Sequence, residues 1–197
     1  MPTTSAIVLY CQPHSDRAHI LHTYTRTGGR VNYMVYGIGK KKSAALYAPL
    51  SLVEITGTGT PNGQKMPVAK EIHLQRVPQR ILTDMRRQTI ALFTAEVLYR
   101  TLRHPMEDPA LFDYIASSAE ALDSMENPEN LHLTFLVGLA EHLGFAIDAE
   151  AHPDLLQVPH TRTGRQQQLQ ALCTYYEKHV DDWQTPRSIE VLTEVFN

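Results

Sequence analysis

Cysteine is almost missing from this chain. Its two cysteines, Cys11 and Cys173, cannot build a disulfide framework, which fits a reducing compartment. Long apolar runs are missing too. The longest, around Leu131–Leu143, is broken by His132, Thr134, Glu141 and His142, too short and too polar to span a bilayer. The start lacks the basic stretch of a secretory signal, so the chain reads as a cytoplasmic protein with no membrane partner. Catalytic signatures are absent as well: no Gly-x-Ser-x-Gly, no phosphate-binding Gly-x-x-x-x-Gly-Lys and no His-Glu-x-x-His. Nothing in the motifs supports an enzyme or calls for a cofactor.

A marked net charge is also lacking, and here the average misleads. The formal value of −3 over 197 residues combines two unlike halves. Residues 1–90 hold 12 Lys/Arg and 4 Asp/Glu, whereas residues 91–197 hold 6 Lys/Arg and 17 Asp/Glu. That asymmetry predicts a basic module facing polyanions, joined to an acidic module with another task.

The basic half reads as strands. Residues 6–11 form a short apolar run that stops at Gln12-Pro13, and residues 17–26 alternate in the manner of a strand. Thr27-Gly28-Gly29 offers a tight hairpin turn into a strand over 30–36. Strands over 50–55 and 66–74 follow, separated by Gly57, Gly59, Pro61, Asn62 and Gly63. Five short strands bent at glycines suit a small closed barrel, which leaves no exposed edges. The texture changes at Pro78. Residues 81–103 contain no glycine or proline and predict one helix, buried on nearly all sides after Thr89. Asp108-Pro109 marks a capped helix start. Further helices are expected over 129–143, 166–180 and 188–196, with 146–164 as a loop. The domains predicted are 1–77 and 78–197, and no internal repeat is visible.

Cys11-x-x-His14 followed by His19-x-x-His22 has zinc-type ligands. Positions three apart on a strand face opposite sides, however, so His19 and His22 should diverge and no metal site is expected. His132 reads as a packed core histidine with one satisfied nitrogen, and Cys173 as a core residue. Nucleic acid is the better-supported partner. The first 76 residues carry nine cations against three acids, with Tyr24, Tyr33, Tyr36 and Tyr47 between them. Cations track phosphates and exposed rings stack bases, although Tyr33 lies on the more apolar face of its strand, as a core residue would.

Thr25-Arg-Thr-Gly-Gly-Arg30, Gly37, Lys40-Lys-Lys-Ser43, Leu46 and Pro49-Leu50 resemble the N-terminal barrel of RecO, the bacterial recombination mediator. Residues 90–99, Leu111-Phe112, residues 130–136, Leu143-Gly-Phe145, Tyr175-Tyr-x-x-His179 and residues 186–192 resemble its helical part. The resemblance implies an α+β protein, a five-stranded OB-fold barrel followed by an all-α domain. It further implies a non-enzymatic mediator that binds single-stranded DNA, single-strand-binding protein and RecR, anneals strands and helps load recombinase. Arg30 and Lys40, Lys41 and Lys42 are then the best phosphate contacts, with Arg26, Lys65 and Lys70 behind them. Arg80 and Arg87, seven apart on the expected helix, would receive an acidic peptide tail or extend the DNA path. Many members carry a longer segment after the Leu-Gly-Phe helix, some with a four-cysteine zinc site. Residues 146–164 hold no cysteine, so the resemblance brings no zinc. Two alternatives stand beside this reading: a barrel for RNA or another polyanion, and a zinc-dependent hydrolase built on Cys11, His14, His19 and His22.

Overall fold

The computed structural model describes residues 2–37, 44–59 and 65–196. Five strands come first: β1 (Thr3–Ser15), β2 (Ala18–Thr25), β3 (Gly29–Tyr36), β4 (Leu52–Thr58) and β5 (Val68–Leu74). They close a barrel in the order β1-β2-β3-β5-β4. All pairings are antiparallel except the short β3–β5 one, in which Met34 and Val35 meet Val68 and Ala69. Alternation places Ala6 and Val8, Leu21, Val31, Tyr33 and Val35, Val53 and Ile55, and Ala69 in the interior, as a period of two requires.

β1 runs further than its sequence predicts. It pairs with β4 only from Thr3 to Ile7, so its second half has a free side. Pro13, opposite His19, therefore removes no ladder hydrogen bond there and does not end the strand. Gly57 likewise belongs to β4, at a register shift against β5, and the bend into the next segment comes at Gly59, where φ is +101°.

Seven helices follow among the described residues: α1 (Gln79–Thr83), α2 (Met85–Thr101), α3 (Pro109–Ser124), α4 (Leu131–His142), α5 (Pro153–Leu156), α6 (Arg162–His179) and α7 (Ser188–Val195). The single helix expected over 81–103 is thus two. Asp84 takes extended backbone angles and its carboxylate accepts from the Arg86 N–H at 2.9 Å. A good N-cap has started a new helix where the absence of glycine and proline predicted continuity. Asp108 caps α3 as expected, accepting from the Leu111 N–H, with Pro109 in the first turn. The loop expected over 146–164 contains α5 and the first turn of α6, capped by Thr161.

Besides the barrel interior, a second core joins the outside of the barrel to the helices. Residues 6 to 9 are all at most 2% exposed. Ala6 and Val8 fill the barrel, while Ile7 and Leu9 join Tyr24 and Leu50 in the cluster formed by α2, α3, α4 and α6. The approach is also tight at the β2–β3 hairpin. Gly29 has φ +60°, and a Cβ on it would collide with the backbone of Met106, in the segment between α2 and α3. Only glycine satisfies both the turn and that contact.

Candidate nucleic-acid interface

The outer face of β1, β2 and β3 carries the side chains that alternation turns away from the barrel interior. Tyr10 and His22 lie opposite one another, as do Gln12 and Ile20, and His22 also faces Asn32. Met34 and Tyr36 continue the face on β3, and Tyr36 is 58% exposed. Lys70 stands on β5 one residue beyond the Val35–Ala69 pair, at the register shift against β4. Arg17 lies in the turn between β1 and β2, where its carbonyl accepts from the Gly37 N–H, and Lys65 lies in the segment that leads into β5. All three cations are exposed and carry no ion pair or side-chain hydrogen bond among the described residues. In barrels of this type, the β2–β3 face and the loops beside it are where oligonucleotides are held.

At its other end this face meets α2. His22 Nδ1 and Asn32 Oδ1 are 2.7 Å apart. The His22 ring stacks on Tyr10 at 5.7 Å between centroids and meets the edge of Tyr99 at 5.2 Å. Burial, outweighing the Asn32 hydrogen bond, lowers the His22 pKa, so the imidazole is a neutral bridge between barrel and helix. Arg30 Nη1 donates to the carbonyls of Tyr99 at 2.8 Å and Leu102 at 3.1 Å. These are orphan acceptors at the end of α2, and a guanidinium satisfies them.

The residues predicted to contact DNA are therefore placed unevenly. Lys65 and Lys70 are exposed and have no side-chain partner among the described residues. Arg30 is half-buried and ties β3 to α2, with part of its edge lining a hollow beside Asn32, Arg100 and Arg103. Arg26 makes a two-pronged ion pair with Asp113 of α3, its second contact at 2.9 Å. Lys40, Lys41 and Lys42 lie outside the described residues.

Arg80 and Arg87 do not share a helix face, because Asp84 separates α1 from α2. Both instead close the C-terminal end of α3. Arg80 donates to the carbonyls of Ser124 and Met125. Arg87, 3% exposed, donates to those of Leu122, Met125 and Glu126 and pairs with Asp84. Asp123 answers by accepting the N–H groups of Arg80 and Ile81 at 2.8 and 3.0 Å. These guanidinium groups are engaged within the chain, which places both residues in the scaffold.

Of the four tyrosines noted in the sequence, Tyr24 and Tyr33 are buried and Tyr47 is partly buried. Tyr10 and Tyr99, 48% and 36% exposed, each end an apolar run in the sequence, a place that reads as core. The signal for Tyr10 is the register shift between Val8 and Tyr10, which no pattern of two reveals. Cys11, His14, His19 and His22 do not converge. Cys11 faces Leu21, and His19 faces Pro13, with His22 on the outer face. Among the described residues no group of three or more His, Cys, Asp or Glu is gathered as a metal ion requires. His132 is a core residue, as expected, and its Nδ1 finds no partner among the described residues. Cys173 is buried on α6, and burial raises its pKa to about 11. Among the described residues no helix is long and apolar enough to cross a membrane.

Comparison with known proteins gives two family matches. Residues 1–75 match the model of the recombination protein O N terminus, and residues 82–155 that of its C terminus. The chain is 36% identical over 151 residues to the DNA repair protein RecO of Porphyromonas gingivalis, an alignment covering 74% of this chain and 61% of that protein. It is 26% identical over 236 aligned positions to RecO of Christiangramia forsetii and 28% identical over 239 to RecO of Bacteroides fragilis, with 98% of each chain covered. Those alignments are longer than this chain, so the two relatives carry segments that it lacks.

Proposed function

Because the chain belongs to the RecO family of DNA repair proteins, we propose that it is a non-enzymatic mediator of recombinational repair whose barrel holds single-stranded DNA on the outer face of β2 and β3. The observation that carries this reading is the company kept by Tyr36. An exposed ring stands at the strand end that holds two unpartnered cations, Arg17, whose carbonyl accepts from the Gly37 N–H, and Lys70, one residue beyond the Val35–Ala69 pair, a phosphate-tracking edge beside a base-stacking surface. Lys40, Lys41 and Lys42 add charge to the segment that follows β3. The acidic helices serve as scaffold and as the surface that engages single-strand-binding protein and RecR, so that strands are annealed and recombinase is loaded.

The test is a titration of a fluorescent oligonucleotide at several salt concentrations. Neutralising about four to six phosphates gives a log–log slope of roughly −3 to −4 on a single strand. A slope near zero overturns the reading, as does unchanged binding after Lys40, Lys41 and Lys42 are all replaced by alanine. Competition with duplex DNA and with RNA completes the measurement, and a clear preference for RNA replaces the proposed ligand.

A further inference from the structure

Beyond the barrel face, a groove of about 370 Å³ opens between β1 and α2. Tyr10, Leu92 and Tyr99 line it and are 48%, 43% and 36% exposed, an unusual concentration of large apolar side chains on a surface. Three rings make a continuous run into it. His22 stacks on Tyr10, and Tyr99 presents its edge to both, with centroids 5.2 Å from His22 and 6.1 Å from Tyr10. Arg187 stands at the rim, exposed and without a side-chain partner among the described residues. Arg30, Arg100 and Arg103 line the hollow next door, which shares Tyr99 and Arg100 with the groove.

One carboxylate, Glu96, lies in the groove, and its charge is already answered. Its oxygens accept from Arg100, from the Ser188 N–H and hydroxyl, and from the Arg187 N–H, at 2.6 to 3.0 Å. What is left for an occupant is flat apolar surface with positive charge beside it. The Tyr10–His22 pair also lies in the same sheet face as Asn32 and Tyr36, so groove and barrel face are continuous.

We infer that an unpaired nucleic-acid strand leaving the barrel face crosses α2 in this groove, stacking a base on Tyr10 and bringing a phosphate to Arg187. This rests on the single-stranded DNA reading above and adds a second, separable segment to its path. A peptide with apolar and acidic side chains is the competing occupant. The ring run continuous with the barrel face favours the nucleotide.

The experiment compares short oligothymidylates, long enough for the barrel face only, with longer ones, using the full chain and its Tyr10→Ala, Tyr10→Phe and Arg187→Ala variants. Loss of a stacked base weakens binding by about fivefold or more. Tyr10→Ala and Arg187→Ala should therefore weaken the long oligonucleotide by that factor and leave the short one nearly unchanged. Tyr10→Phe, which keeps the ring, should bind as the parent does. Thermal melts confirm that the variants fold, and Arg187→Ala, on an exposed side chain, keeps the test decisive if Tyr10→Ala does not. Equal losses at both lengths overturn the inference, as does unchanged affinity for the long strand. A parent that binds long and short strands alike with no variant effect removes the groove from the path while leaving the barrel reading intact. A parent that binds neither strand overturns both. Capture of an acidic peptide, lost in Arg187→Ala while DNA binding is unchanged, assigns the groove to a protein instead.

Discussion

The guanidinium of Arg30 lies over the ring of Tyr99, 4.0 Å from its centroid, while donating to the carbonyls of Tyr99 and Leu102. A cation from the hairpin of the barrel thereby holds the last turn of α2. Replacing Arg30 with alanine should lower stability by about 2 to 3 kcal/mol, the combined scale of charge-assisted hydrogen bonds and a cation–π contact. Lysine should recover only part of this, because it lacks the planar fork. Urea unfolding of the three proteins measures it. A variant as stable as the parent would return Arg30 to the role of a simple phosphate contact.

His132 gives a prediction about acid. It is buried between Phe93 and Phe196. Burial, assisted by the positive charge of Arg165, lowers its pKa from an ordinary 6.5 to about 3. The imidazole is neutral when folded and takes up a proton on unfolding below pH 6.5. Its contribution is complete above that value and falls as pH drops from 6.5 towards 3, by up to about 1.4 kcal/mol per pH unit. Unfolding at about pH 7.5 and about pH 5.5 should show a larger loss in the parent than in His132→Leu. An equal loss would place the acid sensitivity elsewhere.

Gly29 and Gly37 form a matched pair. Both have positive φ, +60° and +66°, but a Cβ on Gly29 meets the Met106 backbone, whereas one on Gly37 meets nothing within 4 Å. Gly37→Ala should cost about 1 kcal/mol, the left-handed backbone penalty alone. Gly29→Ala should cost about 1 to 3 kcal/mol more, since backbone must move. Thermal melts of the two variants, with similar midpoints, would show that the hairpin does not press on the 102–108 segment.

Asp113 tests Arg26. The pair is exposed on both sides. The hydrogen bond from Arg26 holds the Asp113 carboxyl below its ordinary pKa. Asp113→Asn should free Arg26 without unfolding the chain. Oligonucleotide affinity should then rise modestly, with a salt slope steeper by up to about 0.7. No change in slope would remove Arg26 from the phosphate contacts.

Periodicity and turn chemistry predicted the five strands, the Asp108 cap and the change of character near Pro78, because these follow from local alternation and backbone preference. The sequence read less well wherever a distant partner decides. Asp84 breaks a helix whose apolar pattern runs straight through it. Pro13 sits inside a strand because β4 has already parted from β1. The cations were visible as a group, but not their partners: Arg26 and Arg87 are matched to Asp113 and to the end of α3, each more than thirty residues away in the chain. Tyr10 and Tyr99 are 89 residues apart and become neighbours only once α2 lies on β1.

The double burial of residues 6 to 9 has a consequence for the order of events during synthesis. β1 cannot be completed when it emerges from the ribosome. Its inner face waits for β4, and its outer face waits for α2, which ends at Thr101. Until α2 is out, Ile7 and Leu9 have nothing to cover them, and the nascent barrel presents an adhesive strand to its surroundings. A fragment ending at residue 77 should reproduce that condition permanently and aggregate, although it contains all five strands of the described residues.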